Sequence, residues 1–456
     1  MAMNIVILAA GKGTRMKSAR PKVLHRLGGS NLLQHVLDTC VPLQAKRTVL
    51  VTGHGADEVE ASARGDGLVF VRQVPQLGTG HAIQQALPAL DDTASITLVL
   101  NGDVPLIRAD TARALTAACD GSRLALLTIE MADASGYGRI RRDAAGGVLG
   151  IVEHKDASAS QRAIREVYTG MMAAPTAALK RWVMALRADN AQGEYYLTDI
   201  VAMAVADGVP VVATHAASDT EVLGVNSPAQ LADLERRLQR AGAEALMEAG
   251  VRLADPARLD VRGSLVCGSE VEIDVNCIFE GQVTLSDRVH IGANCVIRDT
   301  HIAAGAVIRP FSHIEGAKIG VNAEVGPFAR LRPGADLGEA VHIGNFVEVK
   351  NSTLAAGAKA NHLAYLGDAT VGPRVNYGAG SITANYDGAY KHRTVIGADA
   401  HIGSNCVLVA PVVIGEGATI GGGSTVSQDA PAGQLTLARA RQVLIAGWTR
   451  PQKKKG

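Results

Sequence analysis

Aromatic residues are scarce: 5 Phe, 2 Trp and 8 Tyr in 456 residues. An interior filled throughout by large rings is therefore excluded. Charge of one sign is also missing, because 45 Lys+Arg stand against 44 Asp+Glu for a formal net charge of +1. No global basic field exists to attract nucleic acid or anionic lipid, so any anion site must be local. The cysteines Cys40, Cys119, Cys267, Cys277, Cys295 and Cys406 lie far apart, with no C-x-x-C and no histidine partner at zinc-finger spacing. Reduced thiols in a cytoplasm fit that pattern. No stretch approaches the ~18 apolar residues of a membrane span. The start, MAMNIVILAAGKGTRM, has only a short apolar run with no preceding positive charge. The expected protein is soluble and cytoplasmic, without a targeting segment. What is abundant is glycine, 50 of 456 residues against a usual ~7%, which points to a turn-rich and narrow-cored region. The length allows about three compact units at roughly 150 residues each.

Up to about Asn226, short β-branched runs (NIVILAA, TVLVTG, LVFVRQ, ITLVLNGD) alternate with helical stretches near Asn31–Cys40, Asp57–Ala63 and His81–Leu87. That alternation predicts a parallel α/β sheet over residues 1–226. Ser227-Pro228 then opens a segment with Leu231, Leu234, Leu238 and Ala245 at helical spacing, closed by Gly250. An N-cap, a first-turn proline and a terminal glycine predict a linker helix over 227–250.

From 251 to 456 the period changes. Aliphatic residues recur every six positions at Ile319, Val325, Leu331, Leu337, Ile343 and Val349, and again at Ile396, Ile402, Leu408, Ile414, Ile420 and Val426. Small or aliphatic residues follow four positions later, as at Ala323, Ala329, Ala400 and Cys406. A six-residue period fits neither an amphipathic helix nor a hairpin sheet. It builds flat strands joined by tight turns, three to a coil, stacked as a triangular solenoid. One segment, TANYDGAYKHR between Ile382 and Thr394, must leave the prism as a loop, the usual place for added function. The final GWTRPQKKKG loses the period, and its lysines read as a solvated tail.

The first strand runs into Leu8-Ala9-Ala10-Gly11-Lys12-Gly13-Thr14-Arg15-Met16, followed by Pro21-Lys22. Glycines let backbone N–H groups approach a phosphate, while Arg15 and Lys22 add charge. Met16 occupies the third glycine position of a dinucleotide fingerprint, and no G-x-x-x-x-G-K-[ST] is present, so neither that motif nor a P-loop applies. With QLGTGHA (76–82), NGDVPL (101–106), GYGRI (136–140), GIVEHKDA (150–157), NAQGEYYLTDI (190–200) and GVN (224–226), this segment resembles the sugar-1-phosphate nucleotidyltransferases. More closely, the chain resembles the bifunctional family that joins an N-acetylglucosamine-1-phosphate uridylyltransferase to a glucosamine-1-phosphate acetyltransferase.

The resemblance implies a Rossmann-like α/β nucleotidyltransferase domain, a linker helix and a left-handed parallel β-helix of hexapeptide repeats. It implies that Leu8, Ala9, Ala10, Gly11, Lys22, Gln73, Gly78 and Thr79 contact UTP, and that Asn101, Gly102, Gly138, Glu153 and Asn226 belong to the nucleotide and sugar site. Asp103 and Asn226 would hold Mg²⁺, oxygen ligands suiting a hard ion, with Arg15 and Lys22 stabilising the transferring phosphate. Two positions depart from the family pattern: Tyr168 replaces an Asn that bonds the acetamido sugar, and Asn101 replaces a Tyr.

In the second half, ARLRPGA, GNFVEVK, AKANHLAYLGDA, VNYGAGSITANYDG and IGSNC carry polar residues that stacked coils would bring together. Acyl transfer to an amine needs a base, and His362 within A-N-H-L-x-Y-L-G-D is the candidate, with Glu348 expected to orient it. Arg332 and Lys350 are the cations a sugar phosphate requires, and Tyr365, Asn376 and Asn385 can bond its hydroxyls. By resemblance Ala379, Tyr386, Ser404, Gly422 (in place of a usual Ala) and Arg439 bind substrate or acetyl-CoA.

The expected reaction converts glucosamine 1-phosphate and acetyl-CoA to N-acetylglucosamine 1-phosphate, which is then coupled to UTP. The family role places the product upstream of peptidoglycan and lipopolysaccharide. The family also implies a homotrimer whose neighbouring chains build the acetyltransferase site. Two other readings stand beside this one: a nucleotidyltransferase whose repeats serve only assembly or regulation, and a purely structural or carbohydrate-binding solenoid.

Overall fold

The computed structural model describes residues 2–453. Lys454 and Lys455 of the expected tail lie outside the described residues. The chain forms two compact units that divide between Leu238 and Gln239. The division falls inside the helix Pro228–Glu248 rather than at its start.

The first unit is built on a sheet whose strands Met3–Leu8, Arg47–Thr52, Leu68–Arg72 and Ile96–Asn101 run parallel, as the alternating pattern predicts. Beyond them the sheet is mixed, because Glu166–Pro175 runs antiparallel to both Ile96–Asn101 and Leu124–Glu130. The strands at the centre read as continuous apolar runs since helices cover both faces. Leu32–Cys40 buries Leu33, Val36 and Leu37 on one side, whereas Thr79–Ala86 buries Ala82 and Ile83 in a separate cluster. The long helix starts as expected: the Ser227 hydroxyl accepts from the Gln230 N–H at 3.3 Å. Within this unit Leu234 packs with Met16, Leu27 and Leu32.

The second unit is the parallel β-helix. Leu337 pairs with Ile319 and with Leu354, and Ile343 with Val325, so each coil lies directly under the next. Strands are mostly two to four residues long, and the predicted aliphatic positions, with the small residues four places on, form one continuous buried column. Three faces packed around one axis favour narrow side chains, and of the rings only Phe279 and Tyr377 are buried in this cluster among the described residues. The predicted loop leaves the prism between Ile382–Ala384 and Thr394–Ile396, and the coil pairing Val371 with Ile396 absorbs it.

All six cysteines are free thiols. Burial pushes the Cys40 thiol up to about 12. Among the described residues no helix is long and apolar enough to cross a membrane.

Leu331 is 1% exposed at the centre of the column. Leu331→Ala is expected to cost about 2–5 kcal/mol, read as an earlier denaturant midpoint for the β-helix transition. An unchanged midpoint would mean that the column is not close-packed there.

Candidate functional site

Leu8 stands opposite Asn101 at the ends of two parallel strands, so the loops that follow open on the same side of the sheet. The Gly102 N–H donates to the Leu8 carbonyl at 2.9 Å and ties the two loops together. The first loop turns at Gly13, with φ 59°, where a Cβ would collide with Lys22; glycine is required for Lys22 to lie against the loop.

A cavity of about 670 Å³ opens between these loops. Leu8, Ala9, Ala10 and Gly11 form one wall, Gln73, Gly78 and Thr79 another, and Lys22, Asn101 and Asp103 the floor. Gln73 is buried, and its Nε2 donates to the Gly78 carbonyl at 2.8 Å, shaping the entry to the helix that starts at Thr79. Asp103 Oδ2 pairs with the Lys22 ammonium, and Asn226 Oδ1 accepts from the same Nζ at 3.0 Å. Asn226 is itself fixed by its N–H donating to Gln230 Oε1 at 2.9 Å. Two oxygens already gathered on a cation suit Mg²⁺, a hard ion that completes its shell with phosphate and water. Among the described residues no group of three or more His, Cys, Asp or Glu could hold a metal unaided.

A smaller cavity of about 200 Å³ shares Leu8, Thr79 and Asn101 with the first and adds Gly138, Glu153 and Tyr168. Burial raises the Glu153 carboxyl above the usual glutamate range; the Thr198 hydroxyl, donating at 2.9 Å, opposes the shift, and the charges of Asp199 and Asp156 add to it. Arg15 is not brought into either cavity but sits on the exposed turn Thr14–Met16 beside Thr14, a lining residue. Gly102 is buried behind the wall. Lys12, Thr14, Gln76 and Glu194 line the larger cavity without having been expected. Gln76 and Glu194 lie within the quoted motifs, but a motif marks a segment and not which of its side chains points inward.

In the second unit, adjacent coils set Asn345 beside His362. Asn345 Oδ1 accepts from His362 Nδ1 at 2.9 Å, which leaves Nε2 of an exposed ring as the basic nitrogen. Glu348 does not orient His362: its Oε1 accepts from Arg332 Nη1 at 2.8 Å, because its strand pairs with that of Tyr365 on the next face. Asn345 was the residue to find, one place before Phe346 in GNFVEVK.

Arg332, Glu348, Lys350 and Tyr365 form one group around the corner from His362. The Lys391 ammonium beside Lys350, and then Arg332, hold Lys350 below the usual lysine range. Asn385 donates to Asp368, and the Tyr386 hydroxyl donates to the Gly388 carbonyl at 2.6 Å, so the excursion is a braced loop. Ala379, Ser404 and Gly422 occupy successive coils, linked through Asn405 and Gly423 N–H donors, and Arg439 Nη1 donates to the Gly422 carbonyl at 2.7 Å. Asn376 lies apart from these, against His401 at 3.1 Å. Beside His362, Phe311, Phe328 and Phe346 stack with centroids 4.9 and 5.3 Å apart, and exposed Leu363 extends this apolar ridge.

Comparison with known proteins fits both units. The MobA-like NTP transferase domain family matches residues 5–137, the GMPPB C-terminal domain residues 261–356, and the bacterial transferase hexapeptide (six repeats) residues 393–428. The "Bifunctional protein GlmU" of Methylibium petroleiphilum is 74% identical, over 99% of this chain and 100% of its own length. The chain belongs to the GlmU family. Further GlmU relatives in Polaromonas naphthalenivorans and Cupriavidus pinatubonensis are 67% and 59% identical, over 100% and 99% of this chain and 99% of each relative. Full-length kinship to the GlmU family places both units, and not one alone, within its pattern.

The raised Glu153 pKa has a consequence for stability. The folded carboxyl holds its proton more tightly than the unfolded one, so stability declines as pH rises from about 4.3 through the folded value. Glu153→Gln removes that decline. Urea unfolding is expected to show the variant gaining on the native protein as pH rises through this range, and a gap independent of pH would refute the assignment.

Proposed function

We propose that this chain makes UDP-N-acetylglucosamine in two steps, acetylating glucosamine 1-phosphate in the β-helix and uridylylating the product in the first unit. The observation that carries the reading is that each unit keeps its own built polar site: the Lys22, Asp103 and Asn226 cluster in one, and His362 held by Asn345 in the other. A repeat domain serving only assembly would have no use for an oriented imidazole on one face and gathered cations on the next.

In the acetyl transfer, Arg332 and Lys350 hold the sugar phosphate, with Lys391 adding charge. Two ammonium groups and a guanidinium brought together lower their own repulsion by taking an anion between them. His362 Nε2 accepts a proton from the substrate ammonium, and the freed amine attacks the thioester carbon of acetyl-CoA. The C–S bond then breaks, the nitrogen gives up its second proton, and that proton leaves with CoA as the free thiol. Asn345 fixes the imidazole in the tautomer this requires. Ala379, Ser404, Gly422 and Arg439, stacked along the coils, are the surface for acetyl-CoA. The apolar ridge of Phe311, Phe328, Phe346 and Leu363 supports a homotrimer, since a second chain laid on it would cover apolar surface next to His362.

In the uridylyl transfer, a phosphate oxygen of N-acetylglucosamine 1-phosphate attacks the α-phosphorus of UTP, and the bond to pyrophosphate breaks. The loop from Leu8 to Gly11, with Gln73, Gly78 and Thr79, holds the nucleotide, while Gly138 and Glu153 face the sugar. Lys22 balances charge on the phosphates, whereas Arg15, outside both cavities, would meet only phosphate that projects from them. Asp103 and Asn226 would hold Mg²⁺, which would supply further neutralisation of phosphate charge. The reaction draws on cytoplasmic UTP and acetyl-CoA, which supports a cytoplasmic location.

Thiol release from acetyl-CoA with glucosamine 1-phosphate, and pyrophosphate release from UTP with N-acetylglucosamine 1-phosphate and Mg²⁺, are both expected from the purified chain. Pyrophosphate release without thiol release would reduce the β-helix to a scaffold. His362→Ala is expected to lower acetyl transfer by about 10²–10⁴ and to leave uridylyl transfer unchanged. Asn345→Ala should lower kcat for acetyl transfer by about tenfold with little change in KM for glucosamine 1-phosphate. A matching rise in KM would assign Asn345 to substrate binding instead.

A further inference from the structure

A further cavity of the first unit, of about 350 Å³, shares no lining residue with the two already described. Arg20, Arg26 and Arg64 line it against a single carboxylate, Glu58. That surplus of positive charge is gathered in one concavity of a chain whose net charge is only +1. Among the described residues none of the three guanidinium groups has an ion pair, and the hydrogen bonds of Arg20 and Arg64 run through their backbones. Glu58 does not offset them, since no ion pair joins it to any of the three.

The surrounding backbone is tied together so that these side chains share one space. Arg26 stands opposite Asn31 on the short hairpin of Arg26–Leu27 and Ser30–Asn31. Asn31 caps the helix Leu32–Cys40, its Oδ1 accepting from the Gln34 N–H at 2.7 Å. Gln34 in turn clamps the backbone of Arg64: its Oε1 accepts from the Arg64 N–H at 3.1 Å, and its Nε2 donates to the Arg64 carbonyl at 3.0 Å. Arg20 precedes Pro21, whose ring lies so near Gly55 that a Cβ there would collide with it. Gly55 in turn opens the helix Ala56–Ser62, which supplies Glu58. The helix Leu32–Cys40 has no acidic residue in its first turn, so its positive end adds to the field. Burial, and then the charge of Arg20, hold the His25 imidazole below the usual histidine range against an opposing backbone hydrogen bond.

Like charges gathered without a counterion repel one another, and an anion taken between them turns that repulsion into binding. Guanidinium groups meet phosphate oxygens two at a time, through paired N–H donors. We infer that this arginine-lined cavity is a second polyanion site of the first unit, which takes a compact chain of phosphates. Its volume is at the lower end of the ~300–1,000 Å³ of small-molecule sites. A short phosphate chain fits that space, whereas a nucleic-acid strand would need a basic track beyond it, which the near-neutral chain does not supply. The site is separated from the nucleotide cavity by the turn Lys22–Leu24, on which Val23 lines one cavity and Leu24 the other. The inference goes beyond uridylyl and acetyl transfer and does not depend on either.

The test is calorimetric titration of the full chain with inorganic triphosphate at low salt, where exposed guanidinium groups are least screened. Triphosphate also meets the cations of the nucleotide cavity and of the β-helix, so the variants identify the site. The double variant Arg26→Gln, Arg64→Gln is expected to lose one bound triphosphate per chain while keeping the native thermal midpoint. Each single change is expected to weaken that site by about tenfold. Glu58→Gln removes the opposing charge and is expected to tighten the same site by about threefold. A gain of that kind cannot come from misfolding, so Glu58→Gln decides the matter should the double variant fail to fold. Site number and affinity unchanged across the native chain and these variants would overturn the inference, as would weaker binding in Glu58→Gln. A competition arm with ATP separates two sources of the phosphate chain: displacement of triphosphate from this site assigns it to a nucleotide's tail, and lack of displacement to a free polyphosphate.

Discussion

Parallel pairing of strands is the constraint on which both units depend. A parallel ladder puts residues from distant parts of the chain at one level, because each strand must return to the same end before it can pair again. In the first unit this sets Leu8 against Asn101 and so gathers the loops that follow them into one cavity wall. In the second it sets Asn345 beside His362 and Glu348 beside Tyr365. A slip of one coil would separate the imidazole from its acceptor. The backbone hydrogen bonds that hold the coils therefore also hold the geometry of the candidate base.

Near-neutral overall charge makes the local cation groups informative. Lys22 already has oxygen partners in Asp103 and Asn226, so its charge is offset within the cavity. Lys350 and Lys391 are the opposite case, two like charges facing each other so that one is held below its usual range. The first group is balanced before a ligand binds, and the second becomes balanced only when an anion enters.

Glycine serves two ends in the two units. At Gly13 and Gly170 a left-handed backbone and a close neighbour together exclude any side chain, which lets Lys22 and Asn101 take their places. In the β-helix, glycines such as Gly320 and Gly338 lie so close to the backbone of the next coil that a Cβ would force the coils apart. The same abundance that marks the sequence as turn-rich thus shapes a pocket in one half and spaces a ladder in the other.

Much of the molecule was legible from periodicity. The six-residue spacing from Ile319 to Val426 required short strands around a narrow core, and the structure buries every one of those positions. The four parallel strands of the first half, the start of the long helix at Ser227 and the excursion before Thr394 were legible for similar reasons, since each is a local pattern with a local cause. Side-chain partners were not. Glu348 is nearer than Asn345 to His362 in sequence, yet Asn345 accepts its hydrogen bond, because the corner at Phe346 turns Glu348 onto another face. Nor could spacing show that Asn101 fills the gap above Gly170 next to Tyr168, since the residues come from strands far apart in the chain. The sequence by itself determined the two architectures and the segments that carry chemistry, as backbone pattern and burial are written along the chain. Which atoms meet was decided only by the tertiary structure, because coil register and the facing of neighbouring strands are properties of the packed molecule.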